Sequence, residues 1–235
     1  MSKIEQQVVL ITGTSKGIGY SMANHYIQSG YFVVGCSRGE CDIKSDNYKH
    51  YCLDVSDEPE VIKLFREIKR DYGRLDVLVN NAGIASYNHS VLTNISTVKR
   101  IFETNVFGMF LFCREAAKLM NRNNFGRIVN ISTVLVPMKL EGEAIYAASK
   151  ASVNTLTEIL AKELHPMNIT VNAVAPTPIM TTLIKSLPEE KINDLVAKIP
   201  LGRLGVFEDV INVVDFFIQP KSNFISGQII YLGGI

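Results

Sequence analysis

Short apolar runs rich in β-branched residues alternate along the chain with longer segments in which apolar residues recur every three or four positions. The short runs predict strands that are buried on both faces, and the longer segments predict amphipathic helices. Strands are predicted at 7–12, 31–36, 51–53, 75–79, 127–131, 169–174 and 228–231. Helices are predicted from Gly19 to a C-cap at Gly30, and at 57–72, 97–120, 143–164 and 207–218.

Strands that alternate with helices of this length are typical of the α/β class, in which a doubly wound parallel sheet has helices on both faces. A chain of 235 residues suits one such domain. We therefore predict a single Rossmann-type sheet of about seven strands over residues 1–235. Sheets of this kind bind ligands at the carboxyl ends of their strands, where the unusual sequences described below all fall.

Composition and charge narrow the classes of function. The chain is 47% hydrophobic and 20% charged, with a net charge of +1 and no long run of one sign. These values do not favour a nucleic-acid surface or a polybasic membrane patch, and no apolar run approaches the ~18 residues of a spanning helix. Four cysteines without C-x-x-C spacing predict free thiols and no metal site. We expect a soluble cytoplasmic protein.

A glycine-rich turn joins the first strand to the first helix, and the segment from Thr12 to Gly19 reads TGTSKGIG. Glycines permit a tight turn and let backbone N–H groups approach a pyrophosphate at a helix N-terminus. A glycine-rich turn can also bind nothing. Its place directly between a strand and a helix favours a dinucleotide site.

Tyr146 and Lys150 lie four positions apart in a helical pattern and therefore share one face of the helix. A phenol normally loses its proton near pH ~10, and an adjacent ammonium favours the phenolate. The pair is a candidate for acid–base catalysis. Tyr-x3-Lys also occurs by chance in many helices, so a catalytic role for the pair depends on whether a cofactor site lies in front of it.

Three motifs in the expected order resemble the short-chain dehydrogenase/reductase family over nearly the whole chain. They are the glycine-rich turn, Asn80-Asn81-Ala82-Gly83 after the fourth strand, and the Tyr146–Lys150 pair. The resemblance implies a nicotinamide dinucleotide whose phosphates lie on the glycine-rich turn. The cofactor-binding residues so implied are Gly13, Thr14, Ser15, Lys16, Gly17, Ile18, Gly19, Ser37, Arg38, Asp54, Val55, Asn81, Ala82, Gly83, Tyr146, Lys150, Pro176, Ile179 and Thr181.

The charge at the end of the second strand favours one nicotinamide cofactor. Ser37 stands where the NAD enzymes of the family carry Asp, Arg38 follows it, and Lys16 lies in the glycine-rich turn. Two cations and no acid at this place favour NADP(H) over NAD(H). The alternative is that Arg38 is a solvated loop charge that has no role in cofactor binding. Only about fifteen residues separate Arg38 from Asp54, so a turn is expected there in place of a crossover helix.

The resemblance implies hydride transfer between the nicotinamide and a carbonyl or secondary alcohol. Tyr146 would move the proton, Lys150 would lower the Tyr146 pKa, and Asn105 would support a water near the lysine. An ungapped count places Thr133 at the position of the family's catalytic Ser, and Ser132 is the alternative. Only one of these hydroxyls can face the site, because side chains alternate along a strand.

The resemblance also implies a mobile substrate segment near 181–200. This segment contains three apolar residues at helical spacing, Leu183, Ile184 and Leu187. They form either the face of a lid over the substrate or part of the hydrophobic core.

The substrate class stays open between two alternatives. Similar family members are 3-oxoacyl-[acyl-carrier-protein] reductases, which implies a 3-oxoacyl thioester. However, the two arginines that dock the acidic carrier protein there fall on Asn124 and Met167 here, so a carrier-protein partner is only weakly supported. A small or sugar-derived carbonyl compound is the other class.

Two further expectations concern turnover and assembly. An NADP-binding sensor or scaffold without turnover is the alternative to an enzyme, although the presence of Asn105, Tyr146 and Lys150 favours the enzyme. The family resemblance implies a homotetramer or homodimer that packs the helices near 97–120 and 146–164.

Overall fold

The computed structural model describes residues 6–179, 190, 193 and 196–235. The strands in this part of the chain are β1 Val8–Thr12, β2 Phe32–Ser37, β3 Tyr48–Cys52, β4 Val77–Asn80, β5 Gly126–Ile131, β6 Ile169–Ala175 and β7 Ile229–Tyr231. All pairs are parallel, in the order β3-β2-β1-β4-β5-β6-β7. The predicted doubly wound sheet is confirmed, and its order reverses between β1 and β4, where a crevice opens at the carboxyl edge.

The central strands are buried along their whole length. Every residue of β1, β4, β5 and β6 is buried, and β1 consists of the apolar run VVLI followed by Thr12. The register places Leu10 beside Val34 on one side and Leu78 on the other. Burial of each such apolar side chain contributes ~1.5–3 kcal/mol, so these strands form a rigid floor for the carboxyl edge.

The helices are α1 Gly17–Gln28, α2 Glu58–Tyr72, α3 Ile95–Phe102, α4 Met109–Met120, α5 Leu135–Met138, α6 Ala144–Leu164 and α7 Phe207–Ile218. A π-helical segment, Glu103–Gly108, joins α3 to α4. Short 3₁₀ turns occupy Ser90–Leu92, Asn121–Asn123, His165–Met167 and Pro220–Ser222.

The sequence of helix α2 explains where the helix begins, where it ends and which face it buries. The Asp57 side chain caps its start by accepting a hydrogen bond from the Glu60 N–H at 3.1 Å. Its end lies at Gly73, whose φ of 71° favours glycine. One stripe of the helix is buried against the sheet, through Val61, Leu64, Phe65, Ile68 and Tyr72.

Helices cover both faces of the sheet, as predicted. Side chains of α2, α4 and α6 form a core with one face, and side chains of α1 and α7 form a second core with the other. The two layers leave the carboxyl edge open between the ends of the strands, and this edge holds the site described below.

Three elements differ from the sequence prediction. The third strand is Tyr48–Cys52 and not 51–53, because it is an edge strand with polar and half-buried residues that form no apolar run. The single helix predicted at 97–120 begins at Ile95 and is interrupted by the π-helical segment. A four-residue helix, α5, was not predicted at all. The expected absence of a helix between β2 and β3 is confirmed, since residues 38–47 form none.

Several predicted features lie outside the described residues. Thr181, Leu183, Ile184, Leu187 and most of the predicted substrate segment at 181–200 are among them. Within the described ranges, none of the helices has the length and apolar character needed to cross a membrane. In the same part of the chain, no cluster of three or more His, Cys, Asp or Glu residues is arranged to hold a metal ion.

Candidate active site

Two adjoining cavities lie at the carboxyl edge of the sheet. The glycine-turn cavity, about 430 Å³, lies over the ends of β1, β2 and β4. The tyrosine cavity, about 310 Å³, lies over the ends of β4, β5 and β6. Both are lined by Ile18, Asn81, Gly83 and Ile84, so the two cavities form one continuous cleft.

Most of the predicted cofactor residues line the glycine-turn cavity. They are Gly13, Ser15, Lys16, Ile18, Ser37, Arg38, Asp54, Val55, Asn81, Ala82 and Gly83. Thr14, Gly17 and Gly19 belong to the same turn but do not form the cavity wall. Tyr146, Lys150, Pro176 and Ile179 line the tyrosine cavity.

The glycine-rich turn is shaped for a ligand that approaches its backbone. Gly13 has a φ of +76°, and a Cβ there would lie 2.8 Å from Asn81 Nδ2. A Cβ on Gly19 would overlap the Gly13 carbonyl oxygen. Helix α1 has Lys16 as its N-cap without a side-chain capping bond, so its first N–H groups are open to an anion. These features fit a pyrophosphate.

Asn81 and Thr12 fasten the turn to the end of β4. The Asn81 side chain donates to the Thr12 carbonyl at 2.8 Å and to the Gly13 carbonyl at 3.2 Å. The Thr12 hydroxyl in turn accepts from the Asn81 and Ala82 N–H groups at 3.0 and 2.9 Å. The Asn-Asn-Ala-Gly motif therefore braces the central strands.

A hydrogen-bonded loop fixes the backbone around Arg38. The Ser37 hydroxyl donates to the Gly39 carbonyl at 2.7 Å, and His50 Nε2 lies 2.9 Å from the same oxygen. Because a carbonyl only accepts, Nε2 carries the ring proton in this contact. The Tyr48 hydroxyl lies 2.9 Å from His50 Nδ1 and donates to Thr14 at 3.1 Å. This network ties the Arg38 loop to the glycine-rich turn.

Asp54 lies on the wall of the same cavity in its ionised form. Burial acts to raise the pKa of this carboxyl, but hydrogen bonds from the Ser56 hydroxyl and N–H, at 2.6 and 2.9 Å, bring the pKa below its usual value. The charge of Arg38 adds to this lowering. Arg38 and Asp54 therefore line the same cavity and lie close enough for the charge of Arg38 to act on the carboxylate.

Tyr146 is half-buried in the first turn of α6, at the end of the helix that faces the cleft. Burial and the Glu143 carboxylate raise its pKa to about 12, and hydrogen bonding with the Thr133 hydroxyl acts in the opposite direction. The lowering of this pKa by Lys150 stays a prediction. In the structure Lys150 Nζ donates to the Ile131 carbonyl at 2.6 Å, and burial of the phenol dominates.

Lys150 is fully buried beside the end of β5. Burial lowers the pKa of its ammonium to about 8. A Cβ on Gly83 would lie 3.4 Å from Lys150 Nζ and 3.3 Å from Asn105 Oδ1, so glycine at this position leaves room for both groups. The lysine thus lies at the junction of the two cavities.

Asn105 lies in the π-helical segment and supports the loop after β4. Its side chain accepts from the Ile84 N–H and donates to the Ile84 carbonyl, both at 2.9 Å. It also donates to the Ser149 hydroxyl at 3.0 Å, which donates to the Tyr146 carbonyl at 2.7 Å. π-Helical turns often occur at functional sites, and this one brings a buried amide within reach of α6.

The expectation that only one of Thr133 and Ser132 can face the site is wrong. Both residues line the tyrosine cavity, because β5 ends at Ile131 and strand alternation does not extend to them, but they differ in their contacts. The Thr133 hydroxyl interacts with Tyr146 and accepts from the Leu135 N–H at 3.3 Å. The Ser132 hydroxyl is buried without a hydrogen-bond partner among the described residues. The lowering effect of Thr133 on the pKa of Tyr146, together with its place on the wall of the same cavity, favours Thr133 for the catalytic role.

Sequence reasoning missed several residues of the site. Ile84, Ala85 and Leu135 line the tyrosine cavity, and His50 holds the Arg38 loop. Glu143 acts electrostatically on Tyr146. Its spacing of three residues from the tyrosine on one helical face was the signal that could have found it.

Comparison with known proteins decides the family. A family model described as enoyl-(acyl carrier protein) reductase matches residues 13–234. The 3-oxoacyl-[acyl-carrier-protein] reductase FabG of Vibrio cholerae serotype O1 is 32% identical over 237 residues, which cover 98% of this chain and 97% of that protein. The chain belongs to the short-chain dehydrogenase/reductase family. FabG of Staphylococcus aureus strain Mu50 is 35% identical, with 96% of each chain covered.

Solved structures of similar proteins share the fold of this short-chain dehydrogenase/reductase. ElxO with NADP bound has a TM-score of 0.92 and 31% identity, with 97% of this chain and 98% of that chain covered. The ligand-free aldohexose dehydrogenase of Thermoplasma acidophilum has a TM-score of 0.91 and 32% identity, with 97% and 93% covered. The chain thus belongs to a family of oxidoreductases.

Proposed function

We propose that the protein is an NADP(H)-dependent oxidoreductase that interconverts a carbonyl compound and a secondary alcohol. The observation that supports this most strongly is the shared wall of the tyrosine cavity. Thr133, Tyr146 and Lys150 line it together, directly beside the glycine-turn cavity. A hydroxyl donor, a proton-transfer group and a buried cation next to a dinucleotide site are the parts that carbonyl reduction needs.

NADP(H), when bound, supplies or accepts the hydride at the carbon atom. The residues of the chain handle the proton and the developing charge on oxygen. Tyr146 holds its proton across the neutral range, because its pKa is about 12, and can donate it to the oxygen as the alcohol forms. The Thr133 hydroxyl polarises the carbonyl, and Lys150 adds positive charge beside both groups.

The cofactor preference follows from charge around Arg38. Arg38 and Lys16 line the same cavity, and Ser37 offers a hydroxyl where an acid would repel a 2′-phosphate. The bond from His50 to the Gly39 carbonyl fixes the backbone beside Arg38, which reduces the entropy lost when the phosphate binds. ElxO has been solved with NADP bound, and a substituted form of ElxO has been solved with NADPH bound. We therefore propose NADP(H) over NAD(H).

Replacement of Arg38 by Ala is expected to raise the Kd for NADPH about ten- to a hundredfold. A charge-assisted contact to the 2′-phosphate is worth about 1.5–3 kcal/mol, and NADH has no such phosphate. The Kd for NADH should therefore change less than about twofold. Isothermal titration of both cofactors measures this, with Arg66→Ala as the control, since Arg66 is exposed on α2. Equal losses for both cofactors would contradict the assignment.

Thr133→Val is expected to lower kcat/KM about a hundredfold, whereas Ser132→Ala lowers it less than about fivefold. Valine keeps the shape of threonine but removes the hydroxyl that polarises the carbonyl. Steady-state kinetics of NADPH oxidation compare the two variants, with NADPH affinity as a check on folding. The opposite order of losses would assign the catalytic role to Ser132.

Two substrate classes have support. The FabG relatives favour a 3-oxoacyl thioester, and the aldohexose dehydrogenase favours a sugar-derived carbonyl compound. Asn124 and Met167 lie at the positions where a cationic rim would dock a carrier protein, and neither is charged. We propose a small or sugar-derived carbonyl compound as the substrate and an acyl carrier protein as a secondary candidate. Reduction of acetoacetyl-carrier protein but of no free carbonyl compound would reverse this order.

NADPH oxidation with a panel of carbonyl compounds also tests the alternative that the protein is a sensor or scaffold without turnover. If the wild type binds NADPH, reduces no member of a carbonyl panel and behaves like Tyr146→Phe throughout, the binding function replaces the catalytic one. The buried Lys150 argues against this, because a buried ammonium without a carboxylate partner among the described residues destabilises the fold and has no use in a protein that only binds.

We also propose that the chain works as one domain and assembles as a homodimer or homotetramer. Phe107 and Phe110 are 56% and 41% exposed around the start of α4, and Ile159 is 45% exposed on α6. Contact of these surfaces between copies would remove large apolar side chains from water. A monomeric mass in light scattering at micromolar concentration would contradict this assembly.

A further inference from the structure

Two side chains of the edge strand β3 point toward the glycine-rich turn. Tyr48 and His50 lie on one face of β3, because side chains alternate along a strand. On this face Tyr48 packs against the core that α1 and α7 form with the sheet. The segment between β2 and β3 contains no helix that would separate these side chains from the turn before α1.

Gly35 makes room for a link between β3 and the glycine-rich turn. It lies beside His50 in the register of β2 and β3. A Cβ on Gly35 would overlap the hydroxyl oxygens of Tyr48 and Thr14. Tyr48 Oη lies 3.1 Å from Thr14 Oγ1 and 2.9 Å from His50 Nδ1. Glycine weakens the interior of a strand, and here the close approach of these polar groups explains its presence.

His50 continues the link to the Arg38 loop. Its Nε2 donates to the Gly39 carbonyl at 2.9 Å, and the Ser37 hydroxyl donates to the same oxygen at 2.7 Å. The two donors use both lone pairs of this oxygen, which would otherwise repel an anionic ligand. Ser37, Arg38 and Gly39 line the glycine-turn cavity, whereas His50 is not part of its wall. His50 therefore acts on the cavity through the loop.

The Arg38 loop depends on such a support for its order. Residues 38–40 are exposed and belong to neither a strand nor a helix. A loop that a ligand has to order loses conformational freedom on binding, whereas a loop that is held in advance loses less. The link joins this loop to the turn that would hold the pyrophosphate, so it connects the two phosphate sites of one ligand.

We propose that Tyr48 and His50 are positioning residues for the recognition of NADP(H). They hold the Arg38 loop at a fixed separation from the glycine-rich turn, so that Arg38 meets the 2′-phosphate while the turn holds the pyrophosphate. This inference rests on the proposed preference for NADP(H), and it assigns part of that preference to two residues that do not touch the cofactor. Its consequence is that the contribution of Arg38 depends on His50.

The test is a double-mutant cycle on cofactor affinity. Isothermal titration gives the Kd for NADPH and for NADH in the wild type, His50→Leu, Arg38→Ala and the double variant. Leucine removes both ring nitrogens. His50→Leu is expected to raise the Kd for NADPH about five- to thirtyfold and the Kd for NADH less than about twofold. In the Arg38→Ala protein the same substitution should change the Kd for NADPH less than about twofold.

Three further variants separate the hydrogen bonds from general packing. His50→Gln keeps an N–H donor and should leave the Kd for NADPH within about threefold of the wild type. Tyr48→Phe removes the hydroxyl between His50 and Thr14 and should raise that Kd about three- to tenfold, with NADH unaffected. Tyr51→Phe is the control, since Tyr51 lies on the opposite face of β3 and its hydroxyl has no partner among the described residues. If His50→Leu does not fold, Tyr48→Phe and its control decide the question.

The ratio of the two Kd values within each variant distinguishes positioning from a structural role, because a general loosening of the fold weakens both cofactors alike. The inference is wrong if His50→Leu keeps the wild-type ratio, if it weakens NADPH and NADH by the same factor, or if its effect is the same with and without Arg38. In these cases a loss of NADPH affinity in Arg38→Ala still supports the proposed cofactor. If the wild type binds both cofactors equally well, the proposed preference fails and this inference fails with it.

Discussion

Tyr146→Phe is expected to lower kcat about a thousandfold while the Kd for NADPH changes less than about twofold. The substitution removes one oxygen atom and keeps the ring that helps to form the tyrosine cavity. General acid catalysis by a positioned side chain typically contributes about 10²–10⁴-fold, and the phenol lines this cavity together with Thr133.

The pKa of Lys150, and not that of Tyr146, is expected to set the pH dependence of this step. With a pKa of about 12 the phenol stays protonated at every pH at which the protein is assayed, so ionisation of Tyr146 should not limit reduction between about pH 6 and pH 9. A group with a pKa of about 8, Lys150, titrates inside that range. Reduction should therefore slow as the pH rises through about 8, because the ammonium beside the reacting oxygen loses its charge.

Tyr31→Phe is the matched control for the hydroxyl deletion. Tyr31 lies directly before β2, at the amino edge of the sheet and away from both cavities. Steady-state NADPH oxidation with a saturating carbonyl substrate, together with titration of NADPH, measures both variants. Retention of more than about a tenth of the wild-type kcat in Tyr146→Phe would assign the proton transfer to another group.

The sheet and its helices were predictable where burial is strong. Strands β1 and β6 are apolar on both faces, and α2 has a cap, a buried stripe and a terminal glycine, so the sequence pattern and the structure agree. Strand β3 was misplaced because, at the edge of the sheet, its Tyr48, Lys49 and His50 need no apolar pattern. The π-helical segment was hidden because the apolar period continues through it.

In the site, the identities of the functional side chains could be predicted from the sequence, but the hydrogen bonds that position them could not. The glycine-rich turn, Arg38 and the Tyr146–Lys150 pair carry sequence signals of local origin. The bonds that position them join distant residues, such as His50 to Gly39 and Asn105 to Ile84, and no sequence period encodes them. The raised pKa of Tyr146 depends on burial and on the position of the Glu143 charge, and both are set by the tertiary structure.

Lys150→Met is expected to stabilise the protein at pH 7 by about 2 kcal/mol while it abolishes turnover. Burial lowers the pKa of the ammonium from 10.5 to about 8, which corresponds to about 3 kcal/mol of lost stability when the lysine is charged. Methionine fills a similar volume without charge. The loss of the 2.6 Å hydrogen bond to the Ile131 carbonyl offsets about 1 kcal/mol of the gain.

The stabilisation by Lys150→Met should decrease as the pH rises, because burial lowers the pKa of Lys150. Below about pH 8 the lysine is charged in both the folded and the unfolded chain, so the wild type bears the full penalty. Between about pH 8 and pH 10.5 the unfolded chain holds a proton that the folded protein has lost, and the stability of the wild type rises with pH. The advantage of Lys150→Met should therefore shrink by about 2 kcal/mol between pH 7 and pH 9.5.

Urea unfolding of the wild type and the variant at both pH values measures this difference, and Lys162→Met on the exposed face of α6 is the control. The control should change the free energy of unfolding by less than about 0.5 kcal/mol at either pH. A Lys150→Met protein that is less stable than the wild type at pH 7 would show that the ammonium has a stabilising partner. A gain at pH 7 that disappears at pH 9.5, together with lost turnover, would show that the fold tolerates a destabilising buried charge because the reaction needs it.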